Sequence, residues 1–270
     1  MTSIDPTARV AGSAVIGKDV SIGPYAVVGP NVVIGDGCEI HGHVNLAGHT
    51  ELGPRNKVFP FASIGTEPQS VHYKGEPTRL TVGSDGVFRE GVTINIGTAG
   101  GNGITVIGNN CFMMAGSHVA HDCVVGNNVT FANNATLGGL AEIGDNVFLG
   151  GLCAVHQFTR VGELAMVGGL VGVTSDIIPY AIVIGHRSNL AGLNRVGLRR
   201  RGLSGEAIRN VYRGYRAIFD GTGPLKQRID KVAADFAGDA YVMRMVEFIR
   251  AGKARRIAGP RRGGGGADED

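Results

Sequence analysis

The sequence lacks the features of a membrane-spanning, secreted or aromatic-rich protein. It has no tryptophan, only 6% aromatic residues and four cysteines. No apolar run approaches the ~18 residues that a membrane-crossing helix needs. The start, MTSIDPTARV, has neither the basic nor the apolar region of a signal peptide, so we expect a cytoplasmic protein without a membrane span. Glycine is plentiful, with 45 residues, and favours many tight turns around a thin aliphatic core.

Acidic residues are scarce in the C-terminal part of the chain. Residues 187–262 contain 18 Lys and Arg against 6 Asp and Glu, whereas residues 1–186 contain 8 against 14. The last segment, 263–270, is acidic again, and the whole chain has a net charge of +3. This uneven charge distribution favours an acidic partner for the C-terminal part. The alternative is a charged surface that interacts only with solvent.

Aliphatic residues recur at every sixth position. From Ile4 to Ile64 all 11 residues at this interval are aliphatic, and from Ile107 to Val173 all 12 are apolar. Neither a helix nor a flat strand has a period of six residues. The repeat therefore predicts short strands separated by corners, with the recurring side chain directed into a prism-shaped core.

This pattern resembles the hexapeptide repeat of the left-handed parallel β-helix. The resemblance implies the left hand and three hexads, or 18 residues, in each coil; neither follows from composition. We therefore expect an all-β left-handed parallel β-helix of about ten coils, followed by a C-terminal α-helical domain. Neighbouring coils would stack ~4.8 Å apart, the usual spacing of hydrogen-bonded strands.

Two stretches break the hexad period. TEPQSVHYKGEPTR, at 66–79, and TAGGNGIT, at 98–105, carry no aliphatic repeat. We expect both to be loops that leave the prism, and long loops on a rigid scaffold often carry binding residues.

Helical signals replace the hexads after Pro179. Ser204 is expected to cap a helix that ends at Gly221, and two further amphipathic helices are expected at 225–236 and 239–251. The glycine-rich end is typical of a disordered segment. The predicted domains are a β-helix at 1–186, a basic α-helical domain at 187–256 and a disordered tail at 257–270.

The cysteines could belong to a zinc site or to the core. Cys38, Cys111, Cys123 and Cys153 each occupy the fifth position of a hexad, which elsewhere takes Ala, Val, Ser or Thr. The sequence contains no C-x-x-C, and a disulfide is unusual in the cytosol. We predict buried packing residues and no metal site.

The stretch SHVAHDCVVGNN, at 117–128, places two histidines and an aspartate where the core needs neither. With coils of 18 residues, His121, Gly139 and Gln157 form one vertical row, and His156 tops the neighbouring row. An imidazole beside a bare glycine amide could supply a base and an oxyanion donor. Spacing alone leaves a polar turn with a solvated Asp122 as an equal alternative.

Several segments resemble the UDP-N-acetylglucosamine 3-O-acyltransferase family, which opens lipid A synthesis. The resemblance covers about 1–250, and the AHDC…ANNATL…AVHQF series and the GEPT loop are its most specific parts. The segments are GPYAVVGPNVVIG, NLAGHTELG, FASIGTEPQ, YKGEPTRL, AHDCVVGNNVTFANNATLGG, CAVHQF, AMVGG and LRRRGLSGEAI.

The resemblance implies transfer of a 3-hydroxyacyl chain from the phosphopantetheine of acyl carrier protein to the 3-position of UDP-N-acetylglucosamine. His121 would be the general base, Asp122 would orient its ring, and the Gly139 N–H would receive the oxyanion. No cofactor and no covalent acyl-enzyme is expected. The substrate-binding residues implied by position are Ser70, His72, His118, His156, Gln157, Gly169, Arg187, Asn194, Arg200 and Arg201.

The resemblance also implies a homotrimer with active sites between subunits. The acidic acyl carrier protein would then dock on the basic C-terminal helices, and no nucleic-acid partner is expected. The cationic residues of these helices are Arg209, Arg213, Arg216, Lys226, Arg228, Arg250 and Lys253.

The sequence departs from the family pattern near the expected acceptor sugar. Ser70 and His72 replace an acidic residue and a lysine, Leu140 replaces a histidine, and Val196 replaces a glutamate. One hypothesis is that the acceptor is the 3-amino analogue of the sugar, which would give an amide.

Three rival assignments remain at this point. The N-acyltransferase that acts later in lipid A synthesis shares the β-helix but has a further domain before its repeats, whereas the hexads here start at Ile4. A γ-class carbonic anhydrase would need zinc-binding histidines and leaves the basic helices unexplained. A non-catalytic β-helix scaffold is the third.

Overall fold

The hexads form a three-sided parallel β-helix in the computed structural model, which describes residues 1–186, 188–252 and 255–260. Every third strand belongs to the same side, and ten successive parallel strands on one side correspond to ten coils. The predicted left-handed parallel β-helix and the helical segment after it are confirmed. Arg187, Lys253 and residues 261–270 of the tail predicted at 257–270 lie outside the described residues.

The strands are short because each side of the prism is only a few residues wide. Their bounds are β1 Ser3–Ile4, β2 Arg9–Val10, β3 Val15–Ile16, β4 Ser21–Ile22, β5 Val27–Val28, β6 Val32–Ile34, β7 Glu39–Ile40, β8 Asn45–Leu46, β9 His49–Leu52, β10 Lys57–Val58, β11 Ser63–Thr66, β12 Arg79–Val82, β13 Val87–Phe88, β14 Thr93–Asn95, β15 Ile104–Ile107, β16 Phe112–Met113, β17 His118–Val119, β18 Val124–Val125, β19 Thr130–Phe131, β20 Thr136–Leu137, β21 Glu142–Ile143, β22 Phe148–Leu149, β23 Ala154–Val155, β24 Arg160–Val161, β25 Met166–Val167, β26 Gly172–Val173, β27 Ala181–Ile184 and β28 Asn189–Leu193.

The corners need left-handed backbone once in most hexads. Residues at the fourth hexad position, such as Tyr25, Asp122, Leu140 and Phe158, have φ between 58° and 61° although none is glycine. This conformation is unfavourable for most side chains. Because it recurs at the same step, we infer that stacking of each coil on its neighbours maintains it.

The core is a column of aliphatic side chains flanked by small residues. The predicted position of the cysteines is confirmed, since all four are buried and unpaired. Burial raises the pKa of the Cys111 thiol to about 11 and that of Cys123 to about 12. The odd residue at the fifth position, Asn56, is also buried, and its amide bonds the backbone of Gly53, Gly83 and Gly86 across two coils.

The loops lie where the hexad period breaks. Coils normally pair at an 18-residue offset, as His118 does with Thr136, but Val58 pairs with Phe88 across the first loop. Strands enclose the two loops at 67–78 and 96–103. The second was expected at 98–105, and that boundary is wrong because Ile104 and Thr105 pair in β15.

Within the described residues, four helices follow the β-helix: α1 Arg195–Arg200, α2 Gly205–Phe219, α3 Leu225–Asp235 and α4 Ala240–Arg250. The predicted cap Ser204 accepts a hydrogen bond from the Ala207 N–H at 3.1 Å. None of the described helices has the length and apolarity that crossing a membrane requires. The segment predicted as helical from 187 instead begins with β28, which pairs antiparallel with β27.

The predicted disorder from 257 is wrong for residues 257–260. The Asp176 N–H donates to the Arg256 carbonyl at 2.8 Å, and the Ala258 N–H donates to the Asp176 carbonyl at the same distance. Ala258 is buried, and Leu190 pairs with Pro260. Backbone pairing with the last coils therefore orders this segment, and such pairing has no side-chain signature in the sequence.

Candidate active site

His121 lies at a corner of the β-helix directly below Gly139. The Leu140 N–H donates to the His121 carbonyl at 3.0 Å, and the Phe158 N–H donates to the Gly139 carbonyl at 3.1 Å. These bonds stack His121, Gly139 and Gln157 in the row that an 18-residue coil predicts.

The imidazole of His121 is oriented by the next residue in the chain. Its Nδ1 lies 2.8 Å from Oδ2 of Asp122. Side chains of neighbours in a strand diverge, but Asp122 has φ of 60° at the corner, which lets the two side chains meet. Because a carboxylate only accepts, Nδ1 carries the proton and Nε2 keeps a lone pair. The dyad thus presents a basic nitrogen.

Asp122 is held by the loop at 96–103. Its side chain is fully buried and accepts hydrogen bonds from the Thr98 N–H at 3.0 Å, the Thr98 hydroxyl at 2.6 Å and the Gly103 N–H at 3.0 Å. A side chain at Gly101 would clash, since a Cβ there would lie 2.3 Å from Oδ2. The glycine-rich loop therefore closes over the carboxylate and supplies the donors that a buried anion needs.

Gly139 leaves room for the imidazole. A Cβ on this residue would lie 2.6 Å from Cε1 of His121 and 2.8 Å from Nε2. Its own φ is not in the left-handed region, so the requirement for glycine is the close approach of the ring.

The amide N–H of Gly139 is not used by the stacking of the coils. At other corners, amides at the same hexad position donate to an Asp or Asn in the next coil, as the Asn127 N–H does to Oδ1 of Asp145 at 2.7 Å. Gly139 is followed in its row by Gln157, and within the described part of the chain its N–H meets no acceptor. A free amide beside a basic nitrogen can bind a developing oxyanion.

A cavity of about 310 Å³ opens at this corner. The loop at 67–78 covers it, and this loop contacts the second loop through the Thr78 hydroxyl, which donates to the Gly97 carbonyl. The cavity brings together the predicted residues Ser70, His72, His121 and Gln157. Its other lining residues are Tyr73, Glu76, Thr98, Ala99, Gly100, Gly101, Leu140 and Phe158.

The predicted residues His118 and His156 are near His121 and Gln157 in sequence, but neither is among the described residues that line the cavity. His118 is half-buried in β17, with Nδ1 2.8 Å from the Thr93 hydroxyl, and burial lowers its pKa. His156 is exposed, and its Nδ1 contacts the Arg255 guanidinium at 2.7 Å. His118 therefore packs mainly within the sheet, whereas His156 is available to a ligand.

Known proteins match nearly the whole length of this chain. A family model described as UDP N-acetylglucosamine O-acyltransferase, domain 2, matches residues 176–258, and the bacterial transferase hexapeptide model matches 13–48 and 104–139. An acyl-[acyl-carrier-protein]–UDP-N-acetylglucosamine O-acyltransferase of Azorhizobium caulinodans is 53% identical over 96% of both chains. The chain belongs to the UDP-N-acetylglucosamine O-acyltransferase family.

Solved structures agree with this membership. The UDP-N-acetylglucosamine acyltransferase from Campylobacter jejuni superposes with a TM-score of 0.91 at 37% identity, covering 96% of this chain and 100% of that one. A second crystal structure of a UDP-N-acetylglucosamine acyltransferase gives a TM-score of 0.93 at 38% identity, covering 96% and 99% of the two chains. The overall fold is thus shared with these two proteins.

Other predicted residues of the acyltransferase site lie elsewhere on the chain. Gly169 is exposed and lies above Gly151 at a different corner of the prism. It does not stack over His121 because the two residues are not separated by a multiple of 18 positions. Asn194 caps α1 by accepting from the Gly197 N–H at 2.9 Å, and its amide donates to the Leu164 carbonyl. Arg200 and Arg201 are exposed at the end of α1. Among the described residues, none of these four lines the cavity.

The sequence interpretation missed the residues that surround the His121 corner. Thr98, Gly101 and Gly103 enclose Asp122, and Tyr73 and Phe158 line the cavity. The run TAGGNGIT was a usable signal, because a glycine-rich break in a strict repeat marks close backbone approach.

The family assignment also decides among the rivals. Relatives that cover 96% of this chain are named O-acyltransferases, which favours neither a carbonic anhydrase nor a non-catalytic scaffold. The relatives carry O-acyltransferase names, so an amide-forming reaction is not favoured. Two of the residues that depart from the family pattern lie on separate surfaces: Leu140 lines the cavity, whereas Val196 is 56% exposed on α1.

Proposed function

We propose that this protein transfers a 3-hydroxyacyl chain from acyl carrier protein to the 3-hydroxyl of UDP-N-acetylglucosamine, the first step of lipid A synthesis. The observation that carries the proposal is the His121–Asp122 dyad beside the free Gly139 amide, enclosed by two loops. Relatives that bear this activity in their names cover 96% of the chain.

In the proposed reaction, Nε2 of His121 removes the proton of the sugar hydroxyl. The hydroxyl oxygen attacks the thioester carbonyl, and the Gly139 N–H binds the negative charge of the tetrahedral intermediate. The C–S bond then breaks, and the departing thiolate takes the proton from His121. Asp122 holds the ring and stabilises the imidazolium during this cycle, as its 2.8 Å contact with Nδ1 allows. The transfer is direct and uses no cofactor.

A transfer assay with a panel of acyl carrier proteins and two sugar nucleotides tests this proposal. We expect an ester product from UDP-N-acetylglucosamine, because the family relatives are O-acyltransferases. Mass spectrometry of the product distinguishes an ester from an amide. Absence of transfer from every carrier, or exclusive use of the 3-amino sugar, would contradict the proposed reaction.

The proposal includes a homotrimer. His121 and Gly169 occupy different corners of one chain, so a site that contains both needs two copies. The corner that bears Gly169 also exposes large apolar side chains, which a neighbouring copy would cover. A heterologous contact between two different corners closes into a ring of three when each copy is rotated by a third of a turn from the next. The exposed residues on this corner are Tyr25 at 58%, Phe61 at 66%, Leu152 at 58% and Leu170 at 66%.

Acyl carrier protein is proposed to dock on the helices at 195–250. Arg216 and Arg250 pair with Asp220 and Asp230, but these pairs are exposed and leave the surface cationic. Arg209 and Lys226 are exposed, and within the described residues neither forms an ion pair. The alternative is that these charges only interact with solvent. The salt dependence of the transfer rate distinguishes docking from this alternative.

Raising the salt concentration from about 50 mM to about 500 mM is expected to lower kcat/KM for the acyl carrier protein by about tenfold. Long-range attraction of an acidic partner is screened by salt, whereas binding of a small acyl thioester has no such contribution. Initial rates with both donors measure the difference. Equal salt dependence for carrier protein and small thioester would reject docking on the basic helices.

A further inference from the structure

The C-terminal segment at 255–260 is anchored next to the candidate active site. Asp176 is buried, and its backbone bonds Arg256 and Ala258 on either side of Ile257. Its carboxylate accepts from Nε of Arg160 at 2.8 Å, and Arg160 also donates to the Phe248 carbonyl of α4. The position of the segment is therefore determined by backbone pairing and by a buried ion pair.

From this anchored segment Arg255 reaches two residues of the site. Its Nη2 lies 2.7 Å from Nδ1 of His156 and 3.0 Å from the carbonyl oxygen of Gln157, and its Nε lies 3.2 Å from the same carbonyl. Gln157 lines the cavity above Gly139 and His156 is its neighbour. The guanidinium thus binds the backbone and a side chain at the top of the His121 corner.

This contact selects the tautomer of His156. A guanidinium only donates, so Nδ1 must accept and the ring proton must sit on Nε2. Nδ1 of His156 also lies 3.1 Å from the Gln157 carbonyl. Without Arg255, that carbonyl is the remaining acceptor, and a proton on Nδ1 would satisfy it. Arg255 therefore decides whether the exposed Nε2 is a donor or an acceptor.

We propose that Arg255 is a positioning residue, which keeps His156 with a proton on Nε2 and holds the Gln157 carbonyl, so that His156 donates a hydrogen bond to an oxygen of the sugar nucleotide. This rests on the proposed function. Arg255 is not needed to anchor the segment, because the bonds to Asp176 involve only the backbone of Arg256 and Ala258. Its side-chain bonds go instead to two residues of the candidate site.

Replacing Arg255 with alanine is expected to raise KM for the sugar nucleotide about five- to tenfold while kcat stays within about twofold, because one hydrogen bond to substrate is lost and the base is untouched. The ring ¹⁵N resonances of His156 should change from the Nε2–H pattern to the Nδ1–H pattern. R255K keeps one charged donor and should restore part of both properties. The matched control is Arg256→Ala. Arg256 is the next residue in the chain, and its exposed side chain makes no bond within the described residues.

The outcomes separate the two proposals. An unchanged His156 tautomer in Arg255→Ala, or the same KM as in Arg256→Ala, would overturn the role of Arg255. The tautomer is measured without substrate, so a tautomer change in Arg255→Ala combined with no acyl transfer by the wild-type protein would instead reject the proposed function. Should Arg255→Ala fail to fold, Arg255→Met decides, because it keeps an unbranched apolar side chain and removes every donor. An Nδ1–H pattern with a raised KM in the folded variant supports the role, and wild-type values refute it.

Discussion

Replacing His121 with alanine is expected to lower kcat/KM for acyl transfer by about 10³-fold, within the 10²–10⁴ range of a general base. The variant loses the only nitrogen that the dyad offers to the sugar hydroxyl, while Asp122 keeps its bonds from Thr98 and Gly103. Initial rates across pH measure the loss.

The matched control is His49→Ala. His49 is an exposed histidine in β9, far from the dyad in sequence, and its removal should leave kcat/KM within about twofold. Thermal unfolding of both variants should resemble that of the wild type, because neither change opens the core. Transfer by His121→Ala within tenfold of the wild type would remove the catalytic assignment and favour a scaffold.

The architecture was predictable because every hexad directs the same kind of side chain into the core. An aliphatic residue at every sixth position implies one inward side chain per side of the prism, and Val119, Leu137 and Val155 are buried as the pattern requires. The same regularity placed the four cysteines in the core. Helix bounds were within two residues for the capped helix after Ser204, where local hydrogen bonding gives a sequence signal.

The environment of Asp122 was less predictable. Alternation along a strand argues that His121 and Asp122 diverge, and only the corner conformation of Asp122 brings their side chains together. The donors from Thr98 and Gly103 come from a loop without a repeat, 24 and 19 residues away. Such contacts depend on how the loop folds over the column, which no periodicity encodes. Residues 257–260 escaped prediction for a related reason, since backbone bonds alone order them.

Replacing Gly139 with alanine is expected to lower kcat/KM by about 10²-fold. The added methyl would lie 2.6 Å from Cε1 of His121, and the ring cannot move away without breaking its bond to Asp122. The alanine variant keeps the backbone N–H, so the loss reports the displaced imidazole rather than a missing oxyanion donor. Initial rates with wild-type and variant enzyme measure it.

Gly12→Ala is the control for this steric argument. Gly12 occupies the same hexad position near the N-terminus, where an added Cβ would meet no atom within 4 Å among the described residues. Its kcat/KM should stay within about twofold of the wild type. A double variant carries the argument further, because Gly139→Ala should cost little once His121 is already alanine and no ring remains to displace. If the two losses instead multiplied, Gly139 would act independently of His121, and the close packing of glycine against the base would not be the reason for its presence.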